Sequence, residues 1–169
     1  MDAKRLSVRP VRAGDADAIA GFYARLTPES RRTRFLGSCR SISDLQAERF
    51  ARPDDRGASG WVAVDPDGTV VGHLCLEPID PRGERVEEIA VAVAEDRRGH
   101  GLGRWLLDGA IASAQQRGVR ALEATMLTAN HPIHALLEHA GLPWTCRALE
   151  PGSETIRIDL RREAFLGAA

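Results

Sequence analysis

Lysine is nearly absent from this sequence. Among 169 residues Lys4 is the only one, so 22 of the 23 basic side chains are arginine. A lysine Schiff-base mechanism is thereby set aside, because Lys4 lies in the N-terminal stretch, where chains fray. Cysteine is scarce too. Cys39, Cys75 and Cys146 are odd in number, far apart and never in a CxxC pair. That excludes a disulfide framework and a structural zinc site and suits a reducing cytosol. No apolar run reaches membrane-spanning length. Residues 1–12 lack the apolar core of a secretion signal. A cytoplasmic protein without a membrane partner is expected. Nor is there an excess of charge: 24 acidic against 23 basic residues leave a net charge of −1. Non-specific nucleic-acid binding needs a broad basic field, so nucleic acid is not an expected partner. Repeats, low-complexity tracts and long linkers are missing, and the length suits a single domain over residues 1–169. The arginine bias has two readings, genomic composition or a gathering of arginines around an anion, and position along the chain has to decide between them.

What is present is ordinary in bulk, with 43% hydrophobic and 28% charged residues. Residues 6–11 have the apolar alternation of a short strand. Residues 14–26 read as a helix, with Asp15 and Asp17 at its N-terminal end and Ile19, Phe22, Tyr23 and Leu26 at helical spacing. Residues 28–36 form a second helix, with Thr27 as cap and Pro28 at the first helical position. Residues 43–50 form a third, with Ser43 and Gln46 in capping-box spacing and Leu45 and Phe50 pointing inward. Apolar runs at 60–64 and 70–77 flank Asp65-Pro66-Asp67-Gly68 and predict a hairpin. Residues 85–94 are a further strand, joined through a turn at 78–83. After a glycine-rich segment a helix runs to about Arg117, with Gly118 past its end. Residues 121–127 are a strand, 130–140 a helix closed by Gly141, and 144–149 with 154–160 a final hairpin. This order predicts a mixed α/β (α+β) domain, a mostly antiparallel sheet of about seven strands flanked by helices.

The segment Arg98-Gly99-His100-Gly101-Leu102-Gly103 joins a buried strand to a helix. A helix N-terminus carries unpaired N–H groups and partial positive charge, and glycines let a phosphate approach that backbone. Arg97, Arg98 and Arg104 add charge at the same point. A pyrophosphate site is one reading; a plain turn is the other. Two other phosphate motifs fail by letter. Arg104 stands where GxGxxG needs its third glycine, and a P-loop needs a lysine that is missing.

Here a resemblance becomes specific. Arg98-x-x-Gly101-x-Gly103 resembles the Gln/Arg-x-x-Gly-x-Gly/Ala pyrophosphate loop of the GNAT N-acetyltransferase superfamily. The preceding run Glu88-Ile89-Ala90-Val91-Ala92-Val93 resembles that family's central strand. Residues 130–142, with Asn130, Leu136, Gly141 and Leu142, resemble its motif Asn-x-x-Ala/Met-x-x-Leu-Tyr-x-x-x-Gly-Phe. In the N-terminal third, Val8-Arg9-Pro10-Val11-Arg12, Asp15-Ala16, residues 26–31 and Arg34-Phe35-Leu36-Gly37 resemble the GNAT domain of bacterial Pat-type protein lysine acetyltransferases.

The resemblance implies a GNAT fold whose sheet splays between strands four and five, with acetyl-CoA as cofactor and coenzyme A as product. It places the pyrophosphate on the backbone of Arg98, Gly99, His100, Gly101, Gly103 and Arg104. The pantetheine arm lies along Val91 and Val93, with Asn130 touching the same arm. Acyl transfer is direct, to an amine that must first lose a proton, and a strand amide near Val91 serves the oxyanion. Glu88 is the candidate general base, at the position of the Pat-type glutamate. Glu87 competes with it. Alternation puts Glu88 on one face with the small Ala90 and Ala92, and Glu87 on the other with Ile89, Val91 and Val93. Either carboxylate can instead pair with an arginine such as Arg85. Leu137 stands where the family's thiolate-protonating tyrosine belongs, which leaves water or His134 for that task.

The alternative is a non-catalytic acyl-CoA-binding or regulatory module on the same scaffold. The spacing of His131, His134 and His139 matches no zinc motif, so they read as solvated helix residues and no metal is expected. His73 and His100 read as structural or solvated, and Cys75 as a small buried apolar residue. The family builds its acceptor pocket from segments matching residues 27–56 and 144–154. There Asp44, Glu48, Asp54 and Asp55 either draw in a cationic amine or are ordinary surface charge. The Pat likeness points to a protein lysine and the wider family to a small-molecule amine. With Lys4 its only lysine, a lysine acetyltransferase of this sequence would act on another protein. A monomer or homodimer is expected.

Overall fold

The computed structural model describes residues 6–52, 59–79 and 85–161. Strand β1 (Ser7–Pro10) passes through a short 3-10 turn into α1 (Ala16–Arg25), α2 (Pro28–Phe35) and α3 (Asp44–Ala51). Strands β2 (Ser59–Val64), β3 (Val70–Pro78) and β4 (Val86–Val93) follow, then α4 (Leu102–Gln116), β5 (Ala121–Leu127), α5 (His131–Ala140), β6 (Trp144–Glu150) and β7 (Ser153–Asp159). The seven strands form one sheet in the order β1-β2-β3-β4-β5-β7-β6. Every neighbouring pair is antiparallel except β4 and β5, which are parallel because α4 carries the chain across between them. This is the expected mixed, mostly antiparallel sheet.

Local chemistry sets the helix ends. The Thr27 hydroxyl accepts from Ser30 N–H and the Ser43 hydroxyl from Gln46 N–H, capping α2 and α3 as their sequences predict. Helix α1 begins later than its pattern suggests, at Ala16. Asp15 is not a free dipole-matching charge. It is buried, held by Arg9 through two bonds of 2.8 Å and by Arg12 N–H at 2.7 Å, so its carboxyl lies below the usual range. Leu45 is 78% exposed rather than inward, because the buried stripe of α3 is Ala47, Phe50 and Ala51. The turn expected at 78–83 falls largely on residues 80–84, which lie outside the described residues, as do Asp54 and Asp55.

Two cores sandwich the sheet. Leu74, Leu76, Ile89, Leu106, Leu122, Ile156 and Ile158 form the one beneath α4 and α5. Ile19, Phe22, Tyr23, Phe50 and Val62 form the other, beneath α1 and α3. Each large side chain fully buried here contributes about 2 kcal/mol. Helix α4 lies so close to the sheet that a Cβ at Gly72 would stand 3.0 Å from Leu106 Cδ1. A side chain there would press on Leu106, so glycine suits the close approach. In the second core the Tyr23 hydroxyl meets His73 Nδ1 at 2.9 Å, and both residues are fully buried. Burial pushes Tyr23 up to about 12 and His73 down to about 3, so both are neutral near pH 7. Among the described residues no helix is long and apolar enough to cross a membrane.

Candidate active site

The sheet opens at its parallel pair. β4 and β5 stay in register only over Val86–Ala121, Glu87–Leu122 and Glu88–Glu123, while β4 continues along β3 and β5 along β7. The two strands part beyond Glu88. Ile79 N–H bonds Val86 C=O and Ala94 N–H bonds Val71 C=O, so even-numbered residues of β4 bond toward β3. Alternation then turns the backbone N–H and C=O of Val91 and Val93 into the gap. Such groups need a hydrogen-bond partner when water is displaced. The gap is a cleft lined by Ala90, Val91, Thr125, Met126, Asn130 and Leu137 among others.

At one end of β4 the glycine turn leads into α4. Gly99 and Gly101 have φ of +75° and +79°, a conformation that favours glycine. Gly101 is the N-cap, no side chain caps the helix, and its first turn holds no acidic residue. Its free N–H groups and dipole are left for an anion. His100 is exposed in this turn. Gly103 faces Val93 and Leu136, with room for a Cβ in ordinary contact. The arginines differ from expectation in part. Arg97 turns away to Asp65, at 2.7 Å in the β2–β3 turn. Arg98 bonds Val93 C=O at 3.1 Å and Ser30 Oγ at 2.8 Å, and Arg104 lies 3.6 Å from Asp108. Arg98 and Arg104 remain half-exposed at the helix start; Arg97 is a brace between turns.

Glu95, just after β4, ties this turn to α2. Burial opposes its charge, yet bonds from Ser30 and from Thr27 N–H and Oγ1 hold its carboxyl down at about 2.

The two adjacent glutamates have different environments. Glu87 is buried on the α4 side of the sheet and is gripped by both terminal nitrogens of Arg117, one at 2.8 Å. Glu88 is exposed on the α1–α3 side, with no ion-pair partner among the described residues. Its cross-strand neighbours Glu77 and Glu123 are each matched by an arginine, Arg49 and Arg157. Removing the buried charge while leaving Arg117 in place is expected to cost stability. Glu87→Gln should lower the unfolding free energy by about 1–2 kcal/mol in denaturant titration, and Glu88→Gln by less than about 0.5 kcal/mol.

Leu137, at the family's tyrosine position, is 4% exposed and lines the cleft. His134, the alternative proton donor, is not a solvated residue. Its Nε2 lies 2.7 Å from Glu154 Oε1, its ring is tilted against Trp144, and it is not among the residues lining the cleft. His131 is exposed, and Cys75 is buried as expected.

Sequence reasoning missed Arg34. The sequence singles it out only within Arg34-Phe35-Leu36-Gly37, one of the segments that carry the Pat-type likeness, with no role of its own. Instead it lines the cleft, with its guanidinium 4.9 Å from the Phe35 ring and within 6 Å of Tyr23 and Phe50. Only the aromatic residues spaced through α1–α3 hinted at such a seat.

A splayed parallel pair, an uncapped glycine-turn helix and an exposed carboxylate where the strands part leave room for an extended ligand with an anionic end. The acetyltransferase (GNAT) family model matches residues 23–142. The chain belongs to the GNAT acetyltransferase family, and acetyl-CoA-dependent acyl transfer goes with that membership. An acetyltransferase of Pseudomonas aeruginosa is 29% identical over 138 residues, covering 80% of this chain and 73% of that protein. Acetyltransferase Pat of Mycolicibacterium smegmatis is 26% identical over 145 residues, 81% of this chain but only 41% of that longer protein. The crystal structure of the GNAT domain of S. lividans PAT superposes with a TM-score of 0.80 at 26% identity, covering 90% of this chain and 89% of that one. A phosphinothricin acetyltransferase from Sinorhizobium meliloti in complex with acetyl-CoA shares the fold, with a TM-score of 0.74 at 19% identity over 97% of this chain and 93% of that one.

Proposed function

We propose that this chain transfers an acetyl group directly from acetyl-CoA to a primary amine, and that the acceptor is a lysine on another protein. The observation that carries the reading is the gap between β4 and β5. It has the Val91 backbone turned into it, an uncapped helix N-terminus at one end and the free Glu88 carboxylate at the other.

The pyrophosphate is held by backbone N–H groups of residues 99–104, with Arg98 and Arg104 screening its charge. The pantetheine arm bonds Val91 and Val93, and Asn130 at the start of α5 meets it from across the cleft. Binding displaces Arg98 from Val93 C=O. Glu88 takes a proton from the amine, directly or through water, and the freed lone pair attacks the thioester carbonyl. The Val91 N–H is the donor available to the oxyanion. Glu87, clamped by Arg117, is a structural brace.

A protein acceptor is supported by the resemblance of the N-terminal third to Pat-type protein lysine acetyltransferases, which the likeness to the S. lividans PAT domain over nine-tenths of the chain accompanies. Exposure beside the cleft is consistent with it. Glu123, Thr125, Thr155 and Arg157 share the Glu88 face and are only half-buried, so a bulky acceptor can approach.

The test is release of free thiol from acetyl-CoA with a panel of lysine-bearing proteins and small amines. Thiol release with proteins alone supports the reading, and release with small amines alone shifts the acceptor class. Tight CoA binding with no release on any acceptor leaves the non-catalytic module. The phosphate end has its own test. Gly101→Val forces a β-branched residue to φ near +79° and should weaken CoA binding about tenfold by calorimetry, whereas Gly103→Ala should change it less than about twofold.

A further inference from the structure

Amine attack on a thioester leaves negative charge in the cleft. As the C–N bond forms and the C–S bond breaks, an electron pair departs on sulfur, and a thiolate has to be neutralised. The phenol expected for that task is absent: Leu137 fills its place, and the lone tyrosine, Tyr23, is buried in α1. His134 is turned to Glu154. Among the described residues that line the cleft, Arg34 carries the sole ionisable side chain; its companions there are apolar apart from Thr33, Thr125 and Asn130.

Arg34 is built as a fixed cation. It is stacked on Phe35, with the Phe50 and Tyr23 rings behind it, and one terminal nitrogen bonds Cys75 Sγ at 3.2 Å. Glu88 acts on it only through its field, without an ion pair among the described residues, and the buried Arg34 Nε has no hydrogen-bond partner. Such a cation gains by meeting an anion. A guanidinium stays charged throughout the working pH range, so it stabilises a thiolate by its field without giving up a proton.

We propose that Arg34 is a catalytic residue that stabilises the departing CoA thiolate in place of the family's tyrosine acid. This rests on the reading of the cleft as the acetyl-CoA site. The balance is complete without a protein acid: one ammonium proton goes to Glu88 before attack, the second proton on nitrogen passes to water as the tetrahedral adduct collapses, the electron pair of the broken C–S bond goes to sulfur beside Arg34, and water later protonates the released thiolate.

The experiment is an ultraviolet titration of the thiolate of CoA bound to the wild-type chain, to Arg34→Met and to Arg34→Lys, with turnover measured alongside. In the wild-type complex the thiol should titrate about one pH unit or more below free CoA. Arg34→Met should return it to or above the free value and cut kcat by about tenfold or more, with KM for acetyl-CoA changed less than about threefold. Arg34→Lys should recover part of both. An equal midpoint in wild type and Arg34→Met overturns the proposal, as does a wild-type midpoint at the free value, which needs no variant to fold. Failure of the wild type to bind CoA overturns the site reading itself and this proposal with it.

Discussion

Glu88→Gln is expected to reduce turnover by about 10²- to 10⁴-fold while acetyl-CoA affinity stays within about twofold. The amide matches the carboxylate in size but cannot take a proton from the incoming ammonium. Glu88 is exposed and has no ion pair to lose among the described residues, so the fold should not register the change. The residual rate should rise with pH, because solvent can then deprotonate the acceptor. Glu87→Gln is the control that separates chemistry from bracing. It removes a carboxylate one residue away, yet should show up in unfolding rather than in turnover. Full activity in Glu88→Gln, with loss in Glu87→Gln, would exchange the two roles.

The second large effect is acid lability from the second core. His73 is fully buried, and burial holds it down at about 3, against an ordinary value of about 6.5. Below 6.5 the unfolded chain binds a proton that the folded chain refuses. The stability this group contributes is therefore complete above about pH 6.5 and is lost as pH falls toward 3, by a few kcal/mol in order of magnitude. Glu95, held at about 2, adds a later loss as pH drops below the ordinary carboxylate range. Thermal unfolding followed by circular dichroism should show Tm falling from about pH 6.5 downward. His73→Leu should be less stable at pH 7, since the Tyr23 hydroxyl then loses its bond to the imidazole, yet its profile should stay flat until carboxylates titrate. An unchanged slope between pH 6.5 and 4.5 in His73→Leu would show that this histidine does not govern acid stability.

Much of the fold was legible because its signals are local. Thr27 and Ser43 caps, the Asp65–Gly68 turn and the glycines closing α4 and α5 each act over a few residues, and strand alternation separated Glu87 from Glu88. The cleft was legible only through the ordered motifs of β4, the glycine turn and α5, since no local rule says where a parallel pair stops. What the sequence concealed depends on distant partners. Asp15 looked like a helix-end charge until Arg9 in β1 reached it. Arg97 looked like a phosphate ligand until the β2–β3 turn offered Asp65. Arg34 showed no role of its own because its stacking partners come from α1, α2 and α3 together. His134 found Glu154 twenty residues away. An arginine-rich sequence makes such pairings numerous and their partners hard to assign by position.

A crystal structure of the CoA complex tests the central claim most directly. It should show the pantetheine arm bonded to the Val91 backbone in the β4–β5 gap, the pyrophosphate on the N–H groups of residues 99–104, the sulfur facing Arg34, and Glu88 open to the acceptor side. CoA bound along another face of the sheet, or a gap closed by direct β4–β5 pairing beyond Glu88 with the cofactor excluded, would contradict it.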